Sequence, residues 1–387
     1  MRMLPMKQTA RIISTYTGDT SGVCSALFEL GGMTVMHDAS GCNSTYSTHD
    51  EPRWYDSDSL VFLSGLTEMD AILGNDDKLI KDVVSAAKEF SPRFVAIAGT
   101  PIPMMTGVDF QALAKRVEEE TDIPSFGFAT NGMHSYISGA SMAFSALAER
   151  MCTRGVKRDQ TLSVNLLGVT PLDFSVNGSN RSMKAWLENS GFAVRSVWAM
   201  GSSLEEIQSA GKAQVNLVVS ACGLAAAKIL REIFGTPYVV GTPFGHAFSA
   251  KIIRALRTAA GTGENIIACC PSENECDTAI IGESVTSLSL AAALRLEKGI
   301  CCRVLCPVET SSSLLSQNCL AATDEEELIP FLRGMKWVIA DPLYRPICPA
   351  DADFLPLPNE AFSGRIFRES IPNLVSNFNS FEKEVKT

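Results

Sequence analysis

The chain has 387 residues, of which 46% are hydrophobic, and it carries a formal net charge of −10. It is long enough for two or three domains with hydrophobic cores. The acidic balance leaves no basic stripe to neutralise phosphates, which argues against nucleic acid as a partner. No run of about 18 apolar residues is free of charges, so we expect no membrane-spanning segment.

The amino terminus is basic, but residues 1–14 contain neither a continuous apolar segment nor a small-residue cleavage site, so they do not predict a signal peptide. We therefore expect a cytoplasmic protein. The twelve cysteines follow no small-protein disulfide framework. In a reducing compartment they are interpreted as reduced thiols or metal ligands.

Short apolar runs alternate with helical patterns along the chain, which is typical of parallel α/β architecture. The runs lack a polar/apolar alternation, as expected for strands that helices bury on both faces. Strands are predicted within residues 94–99, 163–168, 215–219 and 337–341, and helices within residues 76–90, 110–120 and 247–260. The polar tract 154–161 predicts one domain boundary, and the glycine-containing segment 261–263 predicts a second.

Two cysteines each follow a glycine-containing loop. Cys24 comes shortly after Gly22, and Cys42 directly follows Gly41. Such loops let the backbone approach a bulky inorganic centre and donate N–H groups to its sulfur atoms, which is typical of an iron–sulfur ligand. The alternative is that each thiol behaves as a small buried hydrophobe.

Three segments in sequence order, 37–42 (HDASGC), 64–74 and 95–101, resemble component 1 of nitrogenase and nitrogenase-like reductases. In that family an H-x-x-x-G-C loop holds a cluster cysteine, a segment S-x-L-x-E-x-D-x-x-x-G follows, and a strand then ends at a further cysteine before G-x-D. Here Gly107 and Asp109 fit the pattern, whereas Pro101 occupies the place of the third cysteine.

Segments 220–224, 234–238, 281–294, 340–342 and 362–365 agree with the same family, so the resemblance covers most of the chain. It implies three Rossmann-like α/β domains with parallel sheets. We expect a first domain over residues 1–155 that carries the cluster cysteines and a second over 156–262. The third would span 263–387, with its carboxyl-terminal helix returning to the first domain.

No G-x-x-x-x-G-K-[ST] loop and no G-x-G-x-x-G fingerprint occurs, so ATP hydrolysis is assigned to another polypeptide. The resemblance implies a separate homodimeric iron protein that hydrolyses ATP and delivers electrons through a 4Fe-4S cluster. Because one chain offers two matching thiols, we predict that Cys24 and Cys42 of two subunits share one cluster in a homodimer. A heterodimer with a related subunit that carries three cysteines is the alternative, and Asp38 or Thr100 is a candidate oxygen ligand.

The remaining candidates come from loops. His37 and Gly41 belong to the cluster loop, where His37 is expected to hydrogen-bond near the cofactor. Loops after Gly99, Gly127, Gly168 and Gly241 are predicted to converge on one cleft, since ligands bind beyond the carboxyl ends of parallel strands. His134 and His246 follow such loops, so each is a candidate proton donor, or alternatively a helix cap.

Arg345 and Arg365 are candidate anchors for acidic substituents of a substrate, because a guanidinium binds a carboxylate through two parallel hydrogen bonds. Cys222 lies two residues from the position of a family metal ligand, so a second metallocofactor at Cys222 stays open. The chain length resembles that of tetrapyrrole-reducing members of the family, which implies a conjugated macrocycle as substrate. A metallocluster scaffold or maturation protein and a cluster-free binding subunit are the alternative functions.

Overall fold

Three parallel β-sheets follow one another along the chain, and helices cover each of them. The computed structural model describes residues 12, 17–39, 41, 51–270 and 275–385. The predicted α/β class is confirmed, because all the pairs of named strands described are parallel.

The first sheet unit has the strand order β2-β1-β3-β4. Its strands are β1 (Met33–Met36), β2 (Leu60–Leu63), β3 (Val95–Ala98) and β4 (Ser125–Phe128). Its helices are α1 (Asp19–Leu27), α2 (Glu68–Leu73), α3 (Asp76–Phe90), α4 (Pro101–Thr106), α5 (Phe110–Thr121) and α6 (Tyr136–Arg150).

The second sheet unit has the order β6-β5-β7-β8-β9. Its strands are β5 (Ser163–Val169), β6 (Ala193–Ala199), β7 (Val215–Val218), β8 (Tyr238–Val240) and β9 (Ile266–Ile267). Its helices are α7 (Pro171–Phe174), α8 (Ser179–Asn189), α9 (Leu204–Gln208), α10 (Leu224–Phe234) and α11 (His246–Thr262).

The third sheet unit has the order β12-β11-β10-β13-β14. Its strands are β10 (Thr278–Ile281), β11 (Cys302–Cys306), β12 (Cys319–Ala321), β13 (Trp337–Ala340) and β14 (Asp353–Pro356). Its helices are α12 (Ser284–Lys298), α13 (Glu325–Leu332), α14 (Glu360–Ser363) and α15 (Leu374–Glu384).

The strands predicted from unbroken apolar runs are confirmed as β3, β5, β7 and β13, and the predicted helices as α3, α5 and α11. Every residue of β3, β5 and β7 is buried. This burial explains why these strands lack a polar face, since helices pack on both sides of a parallel sheet.

Two glycines let α1 and α6 cross almost backbone to backbone. A methyl group on Gly22 would lie 2.3 Å from the carbonyl oxygen of Tyr136, and one on Gly139 would lie 1.8 Å from the carbonyl oxygen of Asp19. Both separations are far below van der Waals contact, so only glycine permits this crossing. The crossing sets the positions of Cys24 on α1 and Tyr136 on α6.

The polar tract predicted as a boundary, 154–161, lies between α6 and β5, where the first sheet gives way to the second. The second predicted boundary, at residue 262, precedes β9, which pairs with β8 and completes the second sheet. The division into three domains at these residues stays a prediction.

The carboxyl-terminal helix α15, which the resemblance returned to the first domain, packs against α8 of the second sheet unit. Lys298 of α12 donates a hydrogen bond to the carbonyl of Val385, the residue that follows α15, at 2.9 Å. The carboxyl-terminal part of the chain contacts the first sheet unit at α14, where the Thr17 amide donates a hydrogen bond to the carbonyl of Ala361 at 2.7 Å. Among the described residues, no helix combines the length and apolar character needed to span a bilayer.

Candidate functional site

Polar residues at the carboxyl-terminal edge of the first sheet form hydrogen bonds with one another. His37 follows β1, Ser64 follows β2 and Thr100 follows β3. The His37 Nδ1 and Ser64 Oγ atoms share a hydrogen bond of 2.8 Å, and the Asp38 amide donates to Ser64 Oγ at 3.1 Å. The Thr100 hydroxyl donates to the His37 carbonyl at 2.8 Å and to Asp38 Oδ1 at 3.2 Å. These contacts fix the start of the loop that leads to Cys42.

His37 acts here as an uncharged ring. Burial lowers the pKa of His37, and nearby carboxylates only partly oppose that effect. A neutral imidazole with one nitrogen bonded to Ser64 orients the loop through hydrogen bonding and not through charge. Its expected contact with a cofactor stays a prediction.

Cys24 lies inside helix α1, and not directly after a turn as the small residues before it suggested. Its side chain is fully buried and packs against Met36, with Val61 and Leu63 around the pair. Met36 is the last residue of β1 and immediately precedes His37. The Cys24 thiol therefore lies near the carboxyl-terminal edge of the first sheet. Burial raises the pKa of this thiol, so it carries its proton unless a metal displaces it.

These donors fit an iron–sulfur cluster only as part of a larger ligand set. Cys42 lies outside the described residues, and Gly41 beside it is exposed, with open space around it. Pro101, at the place of the third family cysteine, is the first residue of α4, which Thr100 precedes as N-cap. In the part of the chain that the structure describes, no group of three or more His, Cys, Asp or Glu residues is arranged to hold a metal ion. Whether Cys42 and a second subunit complete such a ligand set stays a prediction.

An exposed apolar surface, which we call the methionine-rich face, adjoins this edge. It lies on α2, which follows Ser64, on α4, which follows Thr100 and packs on α2, and on the loop before α6. Its most exposed side chains are Met105 at 82%, Met133 at 75%, and Ile72 and Leu73 at 70%. Met69, Ile102 and Met104 complete it. The grouping of these exposed apolar side chains on neighbouring elements makes this face a candidate surface for binding another protein.

A second site lies between the second and third sheet units. A partly open cavity of about 70 Å³ is bordered by α7 after β5, by the loop after β8, by the ends of β10 and β13, and by the segment 357–374. Its walls are mostly apolar. Its polar lining residues are Asp173, Ser179, Glu283, Thr286, Ser287, Asp341 and Asn359.

Asp173 is bound by side chains from several elements. The Tyr136 hydroxyl donates to Asp173 Oδ1, and the Thr170 hydroxyl donates to Oδ2 at 2.9 Å. The Cys222 thiol lies 3.9 Å from the same Oδ2 atom, and Ser220 also hydrogen-bonds the carboxyl group. Burial, reinforced by the Glu283 carboxylate, raises the pKa of Asp173 to about 7. Asp173 is thus a half-buried acid that can hold a proton near neutral pH.

Glu283 joins the two sheet units as the N-cap of α12. Its side chain accepts hydrogen bonds from the amides of Val285 and Thr286 at 2.8 Å each, and from the amide of Ala221 in the second unit at 2.9 Å. Asp341 has a similar role after β13, where it accepts from the amides of Leu343 at 3.0 Å and Asn359 at 2.9 Å. Both carboxylates position backbone around the cavity.

Cys222, which the sequence left open as a ligand, is fully buried and does not line the cavity. Burial and the neighbouring Asp173 raise the pKa of its thiol, which opposes the thiolate form that a metal requires. Its contacts are instead hydrogen bonds, including one of 3.3 Å with Ser220 Oγ.

The sequence-predicted proton donors and anchors lie on the surface. His134 is exposed and its Nδ1 atom is 3.4 Å from Glu309 Oε1, while His246 is the exposed first residue of α11. Arg345 covers the Phe354 ring at 5.4 Å and Arg365 is exposed. None of these four residues lines the cavity, and their predicted roles in catalysis and substrate binding stay predictions.

The expected convergence of four loops on one cleft holds for two of them. The loops after Gly168 and Gly241 supply Asp173 and Phe244 to the cavity. No lining residue comes from the loops after Gly99 and Gly127. Gly99 packs against Thr130 and Phe110, and Gly127 packs against Phe110. Sequence reasoning missed Asp173, although a Thr-x-x-Asp pattern directly after a buried strand, at 170–173, signals it.

Comparisons with known proteins agree on one family. The family model described as "Nitrogenase component 1 type Oxidoreductase" matches residues 21–286. The chain is 27% identical over 183 residues to the nitrogenase molybdenum-iron protein alpha chain of Clostridium pasteurianum, covering 46% of this chain and 33% of that protein. It is 24% identical over 194 residues to one of the subunits of the light-independent protochlorophyllide reductase of Nostoc punctiforme, covering 48% of this chain and 38% of that protein.

A third relative is the nitrogenase iron-molybdenum cofactor biosynthesis protein NifE of Sinorhizobium fredii, 26% identical over 200 residues that cover 50% of this chain and 39% of that protein. The chain thus matches well under half the length of these curated relatives. The solved structure titled "Nitrogenase Cp1 at pH 5" superposes with a TM-score of 0.64 at 15% identity, covering 100% of this chain and 92% of that chain. A second, "Nitrogenase Cp1 at pH 6.5", gives 0.59 at 17% identity over 84% and 68%. These two structures establish the same fold.

Proposed function

Because the chain belongs to the nitrogenase component 1 type oxidoreductase family, we propose that it is the catalytic subunit of a two-component, nitrogenase-like reductase. It would receive electrons from a separate ATP-hydrolysing iron protein through a 4Fe-4S cluster shared between two subunits. The observation that carries this proposal is the position of Cys24, His37 and Asp38 at the sheet edge that the methionine-rich face adjoins.

The methionine-rich face supports assembly at this edge. Leaving several large apolar side chains in water is unfavourable, and burying each one contributes about 1.5–3 kcal/mol. Methionine side chains are unbranched and adapt to the shape of a partner. A second copy of this chain, or a related subunit, seated on the methionine-rich face would bring its own cysteines to the same edge.

In this arrangement Cys24 and Cys42 would hold the cluster, which when bound supplies one-electron transfer. His37 and Thr100 would keep the loop in place, since they tie its first residues to the ends of β2 and β3.

The substrate would bind in the cavity between the second and third sheet units. We propose a conjugated, largely apolar molecule of the tetrapyrrole class, in line with the apolar walls and with the protochlorophyllide reductase relative. Sites for molecules of drug size measure about 300–1,000 Å³. A tetrapyrrole would therefore need the segment 357–374, which borders the present cavity of about 70 Å³, to move outward.

The test is anaerobic purification of the full chain, with iron content and assembly mass measured together. We expect a brown dimer with about four iron atoms. Cys42→Ala should remove the iron and weaken the dimer, and Met105→Asp should weaken the dimer because a carboxylate would enter an apolar contact. Leu296→Asp is the matched control, since Leu296 is also exposed, at 49%, but lies on α12 in the third sheet unit. Full iron content in Cys42→Ala would contradict the shared cluster.

A cluster-free binding subunit is the second candidate function, and one observation favours it. Pro101 replaces the third family cysteine and begins a helix, and the Cys24 thiol is fully buried. Colourless protein that stays iron-free when co-expressed with a three-cysteine component 1 subunit would establish this alternative. Brown protein whose reduced cluster is not reoxidised by added protochlorophyllide with iron protein and ATP would instead favour a scaffold role.

A further inference from the structure

The cavity between the second and third sheet units is lined by one carboxyl group, Asp173, whose hydrogen-bond partners can adapt when the carboxyl group gains or loses a proton. The partners of Asp173 are the hydroxyls of Tyr136, Thr170 and Ser220 and the thiol of Cys222. A hydroxyl can rotate and either donate or accept a hydrogen bond. Asp173 can therefore keep all these contacts in the ionised form and in the neutral form.

The other two carboxyl groups of the wall lack this freedom. Glu283 accepts from three backbone amides, and Asp341 accepts from two amides and from the Ser363 hydroxyl at 2.7 Å. A backbone N–H can only donate, so an oxygen that accepts from an amide cannot carry a proton without losing that contact. Burial nevertheless raises the pKa of Asp341. Asp173 is then the acid of the wall that can give up a proton without losing its partners.

Among the described residues, the surroundings of Asp173 contain no free cation that would favour its ionised form. On α1, Asp19 accepts from the amides of Asn131 and Gly132. On α14, Glu360 accepts a hydrogen bond from Ser175 and pairs with Arg368, whose charge is thereby engaged. The remaining titratable groups that face Asp173 are Tyr136 on α6, Cys222 in the turn after β7, Glu283 at α12 and Asp341 after β13.

We propose that this cavity binds an uncharged, hydrogen-bond-accepting group of a largely apolar ligand, and that Asp173 is the acid that donates a proton to it. Apolar walls disfavour a charged ligand, and the lining offers an anion three acidic side chains and no basic one. A neutral acceptor such as a lactam or ketone oxygen, or an unprotonated ring nitrogen, fits this chemistry.

The role of Asp173 as a proton donor to substrate rests on the proposed function. In each step the substrate would gain one electron from the iron–sulfur reductase and one proton from Asp173. The O–H bond of the carboxyl group breaks and a bond from hydrogen to the substrate forms. A hydronium ion from solvent then restores the proton to the carboxylate, so charge and atoms balance.

Binding of small probes tests the cavity without any cluster, partner or substrate. Three five-membered rings differ in charge: 2-pyrrolidinone is a neutral acceptor, pyrrolidine is a cation, and cyclopentanecarboxylate is an anion. Saturation-transfer NMR with the purified full chain should show 2-pyrrolidinone binding near pH 6 and little binding of the two ions. Binding of the lactam should weaken about fivefold or more near pH 8.5, because ionised Asp173 no longer donates.

Asp173→Asn provides a signature that a merely structural role would not give. An amide nitrogen donates at every pH, so this variant should bind 2-pyrrolidinone equally near pH 6 and near pH 8.5. Asp351→Asn, an exposed aspartate on a turn, should behave as the wild type. Tighter binding of pyrrolidine than of the lactam, pH-independent lactam binding by the wild type, or no binding of any probe would overturn the proposal. Failure of the iron measurement above would overturn the proposed function and leave this result standing.

Discussion

Replacing Asp173 by Asn should change how the stability of the protein depends on pH. The pKa of this carboxyl group rises from 3.8 for a free aspartate to about 7 in the folded chain. Between these values the folded protein holds a proton that the unfolded chain has lost. The free energy of unfolding therefore falls as pH rises from about 4 to about 7, and this contribution is constant above that range.

The size of the effect follows from the same two values. Each unit of difference in pKa corresponds to about 1.4 kcal/mol. Ionisation of Asp173 therefore lowers the free energy of unfolding by about 4 kcal/mol in total. Between about pH 5 and about pH 8 the expected loss is about 3 kcal/mol. The side-chain amide introduced by Asp173→Asn is uncharged at every pH, so this variant should lack the loss, apart from about 1 kcal/mol of pH-independent change for an altered hydrogen bond.

Urea unfolding at several pH values measures this difference. Trp198 reports on the second sheet unit, because its ring is fully buried and lies 5.9 Å from the Phe144 ring. Asp351→Asn is the control and should follow the wild-type pH dependence, since Asp351 is exposed. Equal pH dependence of the wild type and Asp173→Asn would refute the assignment of a buried, protonated acid at this position.

Two further variants test the packing that holds the sites. Arg368→Ala should lower the free energy of unfolding by about 3 kcal/mol, because it leaves the Glu360 carboxylate, which is 1% exposed, without its cation. Arg365→Ala changes an exposed neighbouring arginine and should lower the free energy of unfolding by less than about 0.5 kcal/mol. Similar losses of stability in thermal unfolding of the two variants would contradict this reasoning. Gly139→Ala should destabilise by about 3 kcal/mol or more, since its methyl group would collide with the backbone of Asp19. Gly261→Ala, at a helical glycine with open space around it, should be neutral or slightly stabilising, so equal melting temperatures for the two glycine variants would disprove the close crossing of α1 and α6.

The sequence by itself determined the fold class and the family. Unbroken apolar runs such as 94–99 and 163–168 can be satisfied only where helices cover both faces of a sheet, so local pattern was enough to predict β3 and β5. The order of the motifs was enough to indicate nitrogenase component 1, which the family match over residues 21–286 supports. The helical environment of Cys24 and its packing near the end of β1 were not predicted, because small residues such as Gly22 suit both turns and close helix crossings.

Only the tertiary structure decided which side chains line the cavity. His246 and Asp173 both follow a strand end closely, yet the helix start at Gly245 leaves His246 in solvent while the short helix α7 turns Asp173 inward. The partners of Asp173 come from residues 136, 170, 220 and 222, and its repelling neighbour is Glu283 of the third sheet unit. The protonation of a carboxyl group such as Asp173 depends on these distant contacts and on how much of it water reaches, and neither is written in the local sequence.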